Sequence, residues 1–214
     1  MTAWLRRDSR LSAAGWRHGW TTSDGPDFTG DPGSRAHAER VARLTAATGV
    51  AVAAWTRLVH GGRVLRVERP GCQGEADALW TDRPGLAVVG RGADCPLVLV
   101  GMAGAQPVWG FAHASWRATM RGIAGALVAA MAAGGGDPRT ARVVICPSAG
   151  PCCYEVGEEV RAAFTGVHGP AAANFFIPGP VKSHLDLWRA NRAQLEEGGL
   201  ASERIAFSGE CTIC

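Results

Sequence analysis

The segment from Val108 to Met131 constrains the fold more than any other part of the chain. Val108 to Ala112 (VWGFA) is a short apolar run of strand type, and it passes through His113 straight into a stretch of helix type. Trp116, Met120, Ile123, Leu127, Val128 and Met131 follow the three- and four-residue spacing of one apolar helical face. Ser115 is placed to cap the helix, and Gly134-Gly135-Gly136-Asp137-Pro138 to stop it. The expectation is a strand feeding one continuous helix.

The flanking sequence extends this pattern. Ser34 to Thr48 is expected to be helical, with Ser34 as N-cap after Pro32-Gly33. Apolar runs place strands near 51–58, 63–67, 86–90, 97–102, 142–146 and 205–208. Pro147 to Cys153 reads as a loop, and further helices are expected from about Gly157 to Phe164 and from His184 to Glu197. Strands mixed with three or four helices, without strict alternation, predict an α+β fold with a mixed β-sheet core and flanking helices. With 214 residues, no repeat and no long linker, a single domain over 1–214 is expected.

Composition narrows the function. A net charge of +3 with no run of like charges argues against a nucleic-acid or membrane partner. Lys182 is the only lysine, an arginine bias that reads as coding preference. The first residues lack a secretory signal pattern, and no run approaches the roughly 18 apolar residues of a membrane span. Seven cysteines, an odd number with Cys152 and Cys153 adjacent, fit a disulfide framework poorly. A reduced, cytoplasmic protein is expected, as monomer or homodimer, in which Cys and His become candidates for metal binding or catalysis.

Three segments each set a possible metal ligand at the edge of an expected strand: Leu58 to Gly62 with His60, Ala93 to Pro96 with Cys95, and Phe111 to Arg117 with His113. Separations of 95 − 60 = 35 and 113 − 95 = 18 are too long for a local zinc knuckle, so only the fold can assemble them. Two His and one Cys leave a fourth position open on a tetrahedral ion, the catalytic zinc pattern. From spacing alone the alternative stands beside it: a buried Cys as a small hydrophobe and each His as a satisfied core group. The helix start at His113 to Ser115, with Arg117 one turn on, offers N–H groups and a cation to a phosphate; a solvated surface Arg is the plain alternative.

These segments resemble the laccase-domain family, also called multicopper polyphenol oxidase or YfiH-type. Its HG, ADC and HAGWRG motifs are similar to His60-Gly61, Ala93-Asp94-Cys95 and HASWRA (His113 to Ala118). Asp77-Ala78-Leu79-Trp80-Thr81, Gly150 to Gly157, Leu185-Asp186-Leu187 with Asn191 and Leu195, and Cys211-Thr212 complete a likeness over about 58–212. The resemblance implies a fold similar to the deamidase domain of cytotoxic necrotizing factor toxins. It also implies a zinc site on His60, Cys95 and His113, with copper the lesser expectation. The implied activity is purine nucleoside phosphorolysis of adenosine, inosine and methylthioadenosine, together with adenosine deamination; some bacterial members are linked to peptidoglycan editing. Purine nucleoside and phosphate are thus the expected small-molecule partners. Several positions depart from the family pattern. Leu58 replaces a Gln, HASWRA lacks two glycines, Thr21-Thr22-Ser23 lacks an Arg, Cys146-Pro147 replaces a Gly-Pro, and the sequence stops at Cys214, before the terminal FFSYRR-like segment expected of the family.

Under the zinc reading, Cys95 and His113 are catalytic as well as ligating, Asp77 and Glu155 are the candidate general acids, and Arg117, Ser115 and Thr81 are the candidate substrate and phosphate contacts. A second reading keeps Cys95 as nucleophile and His113 as base in a metal-free thiol hydrolase or deamidase. A third is a diverged member with weak or no catalysis. A multicopper oxidase fails on counting, because six His cannot supply both a His2Cys centre and a trinuclear imidazole cluster. Cys211-Thr212-Ile213-Cys214 lacks a second CxxC and is not expected to be a zinc knuckle, and Cys152-Cys153 reads as a packed turn. Gly134-Gly135-Gly136 lacks the Lys of a phosphate loop. Trp80 and Trp116 read as core packing before purine stacking.

Overall fold

The computed structural model describes residues 3–214, so the first two residues of the domain expected over 1–214 lie outside it. A six-stranded mixed sheet forms the centre. In spatial order its strands are Ile205–Phe207, Arg142–Ile145, Leu97–Met102, Val108–His113, Ala78–Thr81 and Val64–Arg66. The two outermost strands run parallel to their neighbours and the inner pairings are antiparallel. A smaller parallel sheet orders Gly71–Glu75, Val52–Arg57 and Leu86–Val89. A short antiparallel one orders Glu155–Val156, Ser183–Leu185 and Phe176–Ile177, and Leu5–Arg6 pairs with Trp20–Thr21. Helices flank the sheets, which is the α+β arrangement expected from the sequence.

The apolar helix after Val108–His113 is broken in two. Trp116–Met120 ends at Arg121, and Ile123–Ala133 begins after Gly122, whose φ of 77° no continuous helix permits. The apolar spacing hides the break, because Trp116 and Met120 keep the period while packing, partly buried, on a different cluster from the one that buries Ile123, Leu127 and Met131. Ile123, Leu127 and Met131 are fully buried in the largest core cluster, and such side chains contribute about 1.5–3 kcal/mol each by burial. Ser115 caps the first half, its Oγ accepting the Ala118 N–H at 3.2 Å, and Gly134 ends the second. Helix Arg35–Thr48 starts from Ser34 as expected. The helix expected from His184 begins at Leu187, because Ser183–Leu185 is committed to a strand. The helix expected to end at Phe164 continues to His168. Strand Ala78–Thr81 is buried along its whole length. Its four apolar-facing positions are too few to show a period. Among the described residues no helix is long and apolar enough to cross a membrane.

Strand register sets up one edge of the large sheet. Leu97 lies opposite His113, and Ala78 opposite Ala112. The Ala114 N–H donates to Pro96 O at 2.8 Å and the His113 N–H to Asp77 O at 2.7 Å. Asp77, Cys95 and His113 therefore gather at the same end of three adjacent strands.

Candidate metal centre

His60 joins that edge from the turn between Val52–Arg57 and Val64–Arg66. Its φ of 55° makes it the only non-glycine in the left-handed region among the described residues, a conformation that persists only where surroundings enforce it. Asp77 supplies the enforcement. Its Oδ1 accepts the His60 N–H at 2.9 Å and its Oδ2 the Gly61 N–H at 2.7 Å. Gly62 lets Arg121 approach, since a Cβ there would lie 3.3 Å from Arg121 Cβ, and Arg121 Nη1 donates to His60 O at 3.3 Å. The helix break at Gly122 thus delivers Arg121 to the His60 turn.

Asp77 also accepts the Nδ1–H of His113 at 3.1 Å, which leaves Nε2 to face the other ligands. His60, Cys95 and His113 converge so that one ligand atom from each lies within 4.8 Å of the others. The two imidazoles meet edge to face with centroids 5.1 Å apart. Two imidazoles and a thiol, backed by a carboxylate that orients one ring, are the donor chemistry of a three-ligand zinc centre.

The electrostatics agree with that donor set. Burial, then the neighbouring His113, holds His60 below its ordinary range, favouring the neutral imidazole that ligates metals. Burial, then Asp94 and Asp77, pushes the Cys95 thiol up to about 11, so a nearby cation is needed to draw out its thiolate. For Asp77, burial pushes the carboxyl up. The hydrogen bonds from His113 and from the Gly61 and His60 N–H groups outweigh it and hold the group below its usual range.

The remaining candidates have contacts of their own, and Arg117 lies close enough for its charge to help hold His60 below its ordinary range. Ser115 Oγ is occupied by its capping bond, and the helix it starts is only five residues long. Arg117 is exposed and lays its guanidinium over the Trp116 ring at 4.3 Å. Thr81 is fully buried at the far end of its strand from Asp77, donating to Val67 O at 2.7 Å and accepting from Arg83 N–H at 3.1 Å. Glu155 is half exposed and pairs with His184 at 3.6 Å. Ser115 and Arg117 share the HASWRA motif with His113, whereas Thr81 and Glu155 come from motifs that hold none of the three proposed ligands. Within those motifs their side chains are taken up by capping, stacking, backbone and ion-pair contacts.

His60, Cys95 and His113 open into a cleft of about 1360 Å3. Its aromatic walls are Trp16, Trp20, Phe28 and Trp109, and its cationic groups include Arg17 and Arg91. Thr21, Thr22, Ser23 and Leu58, all at positions that depart from the family pattern, line it as well. Trp20 Nε1 is buried without a hydrogen-bond partner among the described residues. None of these aromatics was singled out from the sequence, where the adjacency of Trp16 and Trp20 to the Thr21-Thr22-Ser23 segment was the available signal. Trp80 packs in the core, as expected.

A mixed sheet with a His2Cys cluster at its edge, opening on an aromatic cleft, defines the class of fold and site. The chain belongs to the multi-copper polyphenol oxidoreductase laccase family, whose sequence profile matches residues 23–214. It is 37% identical over 192 residues to a purine nucleoside phosphorylase of Deinococcus radiodurans, covering 87% of this chain and 71% of that protein. It is 35% identical over 166 residues to a purine nucleoside phosphorylase of Xylella fastidiosa, of which it spans 62% while 74% of this chain is matched. It is also 37% identical over 143 residues to adenosine deaminase RL5 of an unknown prokaryotic organism, covering 64% of this chain and 53% of that protein. The crystal structure of YlmD from Geobacillus stearothermophilus superposes with a TM-score of 0.74 at 27% identity, over 91% of this chain and 81% of that one.

Proposed function

We propose that the protein is a zinc-dependent purine nucleoside phosphorylase, acting in the cytoplasm on adenosine, inosine or methylthioadenosine, with adenosine deamination as a second activity of the same site. The observation that carries the reading is the convergence of His60, Cys95 and His113 within 4.8 Å in the lining of an aromatic cleft. The names of the similar proteins agree with it. When bound, zinc supplies Lewis acidity to the attacking oxygen, from phosphate or water.

Phosphorolysis forms a bond between a phosphate oxygen and ribose C1′ and breaks the bond from C1′ to the purine nitrogen. The protein's part is to hold the base, the sugar and the anion in line. The cleft aromatics offer stacking faces for a purine, and the unpartnered Trp20 Nε1–H offers a donor to an acceptor on the ligand. Arg17 and Arg91 supply positive charge in the same cleft. In this reading Asp77 is a positioning residue rather than the general acid, because its oxygens already accept three N–H groups.

The metal-free thiol reading retains one observation in its favour: Asp77, His113 and Cys95 follow the order of a carboxylate–imidazole–nucleophile relay. The raised Cys95 thiol weighs against it. Cys95→Ala decides between them when zinc content and phosphate-dependent cleavage of the three nucleosides are measured together. The zinc reading expects the ion held by His60, Cys95 and His113 and the cleavage to be lost together. Full cleavage by protein that lacks both thiol and metal overturns it. Activity that survives metal removal but dies on alkylation supports the thiol reading.

A further inference from the structure

A second group of metal-capable side chains lies apart from the site above. Cys152 and Cys153, in the turn after Gly150-Pro151, meet Cys211 and Cys214 from the segment following strand Ile205–Phe207. All four sulfurs lie within 4.8 Å of one another, and Cys152 Sγ is 3.5 Å from Cys214 Sγ. Every one of the seven cysteines is unbridged.

We propose that Cys152, Cys153, Cys211 and Cys214 form a structural tetrathiolate zinc site that fastens the 208–214 segment to the 147–154 loop.

Size supports a single ion. Zinc–sulfur bonds of about 2.3 Å in a tetrahedron put the sulfurs about 3.8 Å apart, close to the spacing here, whereas the outer thiolates of a polynuclear cluster spread wider. The ligand set is closed, with no position left for substrate, which is the structural pattern of zinc. The sulfur of Cys211 accepts N–H groups from Gly150 at 3.3 Å and Ile213 at 3.5 Å, support of the kind that stabilises a metal thiolate. Backbone bonds already align the two segments: Ser148 N–H donates to Glu210 O at 3.3 Å and Thr212 N–H to Ser148 O at 3.0 Å. The CxxC at 211–214 therefore does find a second pair of thiols, supplied by adjacent rather than spaced cysteines.

The clamp reaches the first site. Thr212, inside the CxxC, donates its Oγ1–H to Asp94 Oδ1 at 2.7 Å, and Ala149 N–H donates to Asp94 O at 2.9 Å, one residue from Cys95.

The test is metal stoichiometry in protein purified under reducing conditions. The wild type is expected to hold two zinc ions per chain, the Cys211→Ser/Cys214→Ser double variant one, and Cys95→Ser one. After cobalt exchange, the intense thiolate-to-metal charge transfer of four sulfurs should persist in Cys95→Ser and vanish in the double variant. Should that variant fail to fold, mapping of alkylated cysteines in the wild type serves instead. Exposed Cys72 should react freely, while exposed Cys152 and Cys214 react only after a strong chelator is added. Equal metal content in the wild type and the double variant overturns the proposal. So does alkylation of Cys152 and Cys214 as fast as Cys72, or a disulfide among the four that ignores the chelator.

Discussion

Asp77 binds the backbone of one proposed ligand and the ring of another, so its charge matters more than its bulk. Asp77→Asn keeps the shape but turns one acceptor into a donor facing N–H groups. Loss of such an orienting partner is expected to weaken metal affinity about 10–100-fold, measured by chelator competition, while circular dichroism stays native. Trp20 offers a different test. Trp20→Phe keeps an aromatic face, smaller by one ring, and removes the Nε1–H, which has no partner among the described residues. If that donor meets the substrate, KM should rise several-fold with kcat little changed. An unchanged KM would remove Trp20 from the substrate site. The metal ligands were readable in the sequence because each sits in a motif at a strand edge. The cleft aromatics were not, because Trp16, Trp20, Phe28 and Trp109 come from separate elements that only the fold brings together.

At the scale of elements, two glycines carry opposite kinds of constraint. Gly122 has open space around it but a φ of 77°. Gly122→Ala therefore meets backbone strain alone, about 1 kcal/mol, or a fall in Tm of about 2–4 °C for a chain of this size. Gly134 has an ordinary φ, but a Cβ there would run into the Trp80 indole. Gly134→Ala is expected to cost about 1–3 kcal/mol through overpacking, and thermal melts of the two variants compare the effects directly. The distinction marks the limit of pattern reading. Hydrophobic spacing gave the right buried face from Ile123 to Met131 and the right end, yet it ran Trp116 and Met120, which pack on a separate cluster, into the same helix across the break. The strands at Val52–Arg57, Leu97–Met102 and Val108–His113 were legible because their runs are long enough to show themselves. Glu155–Val156 and Phe176–Ile177, two residues each, owe their strand character to their partners.

For the molecule as a whole, His37 ties stability to pH. It is 3% exposed, lies between the rings of Phe28 and Trp55 at 5.8 Å from each, and its Nδ1 lacks a partner among the described residues. Burial, then the nearby Arg91 and Arg40, holds it below its ordinary value. The unfolded chain therefore takes up this proton first as pH falls. The stabilisation is complete above about pH 6.5 and is lost as pH drops towards the folded value, by at most about 1.4 kcal/mol per pH unit. Denaturant midpoints from pH 7.5 to 5 should decline in the wild type, and His37→Phe should flatten the decline. An identical slope in the variant would assign the effect to other groups.

The left-handed backbone at His60 has a kinetic side. A residue held at φ 55° by a carboxylate has a relaxed conformation close at hand. Relaxation of that one residue's backbone would move its imidazole away from Cys95 and His113. His60 is the exposed member of the cluster and His113 the buried one, so an ion held there is expected to exchange by way of His60, and a slower metal off-rate on chelator challenge in a variant with a more rigid 58–62 turn would check it.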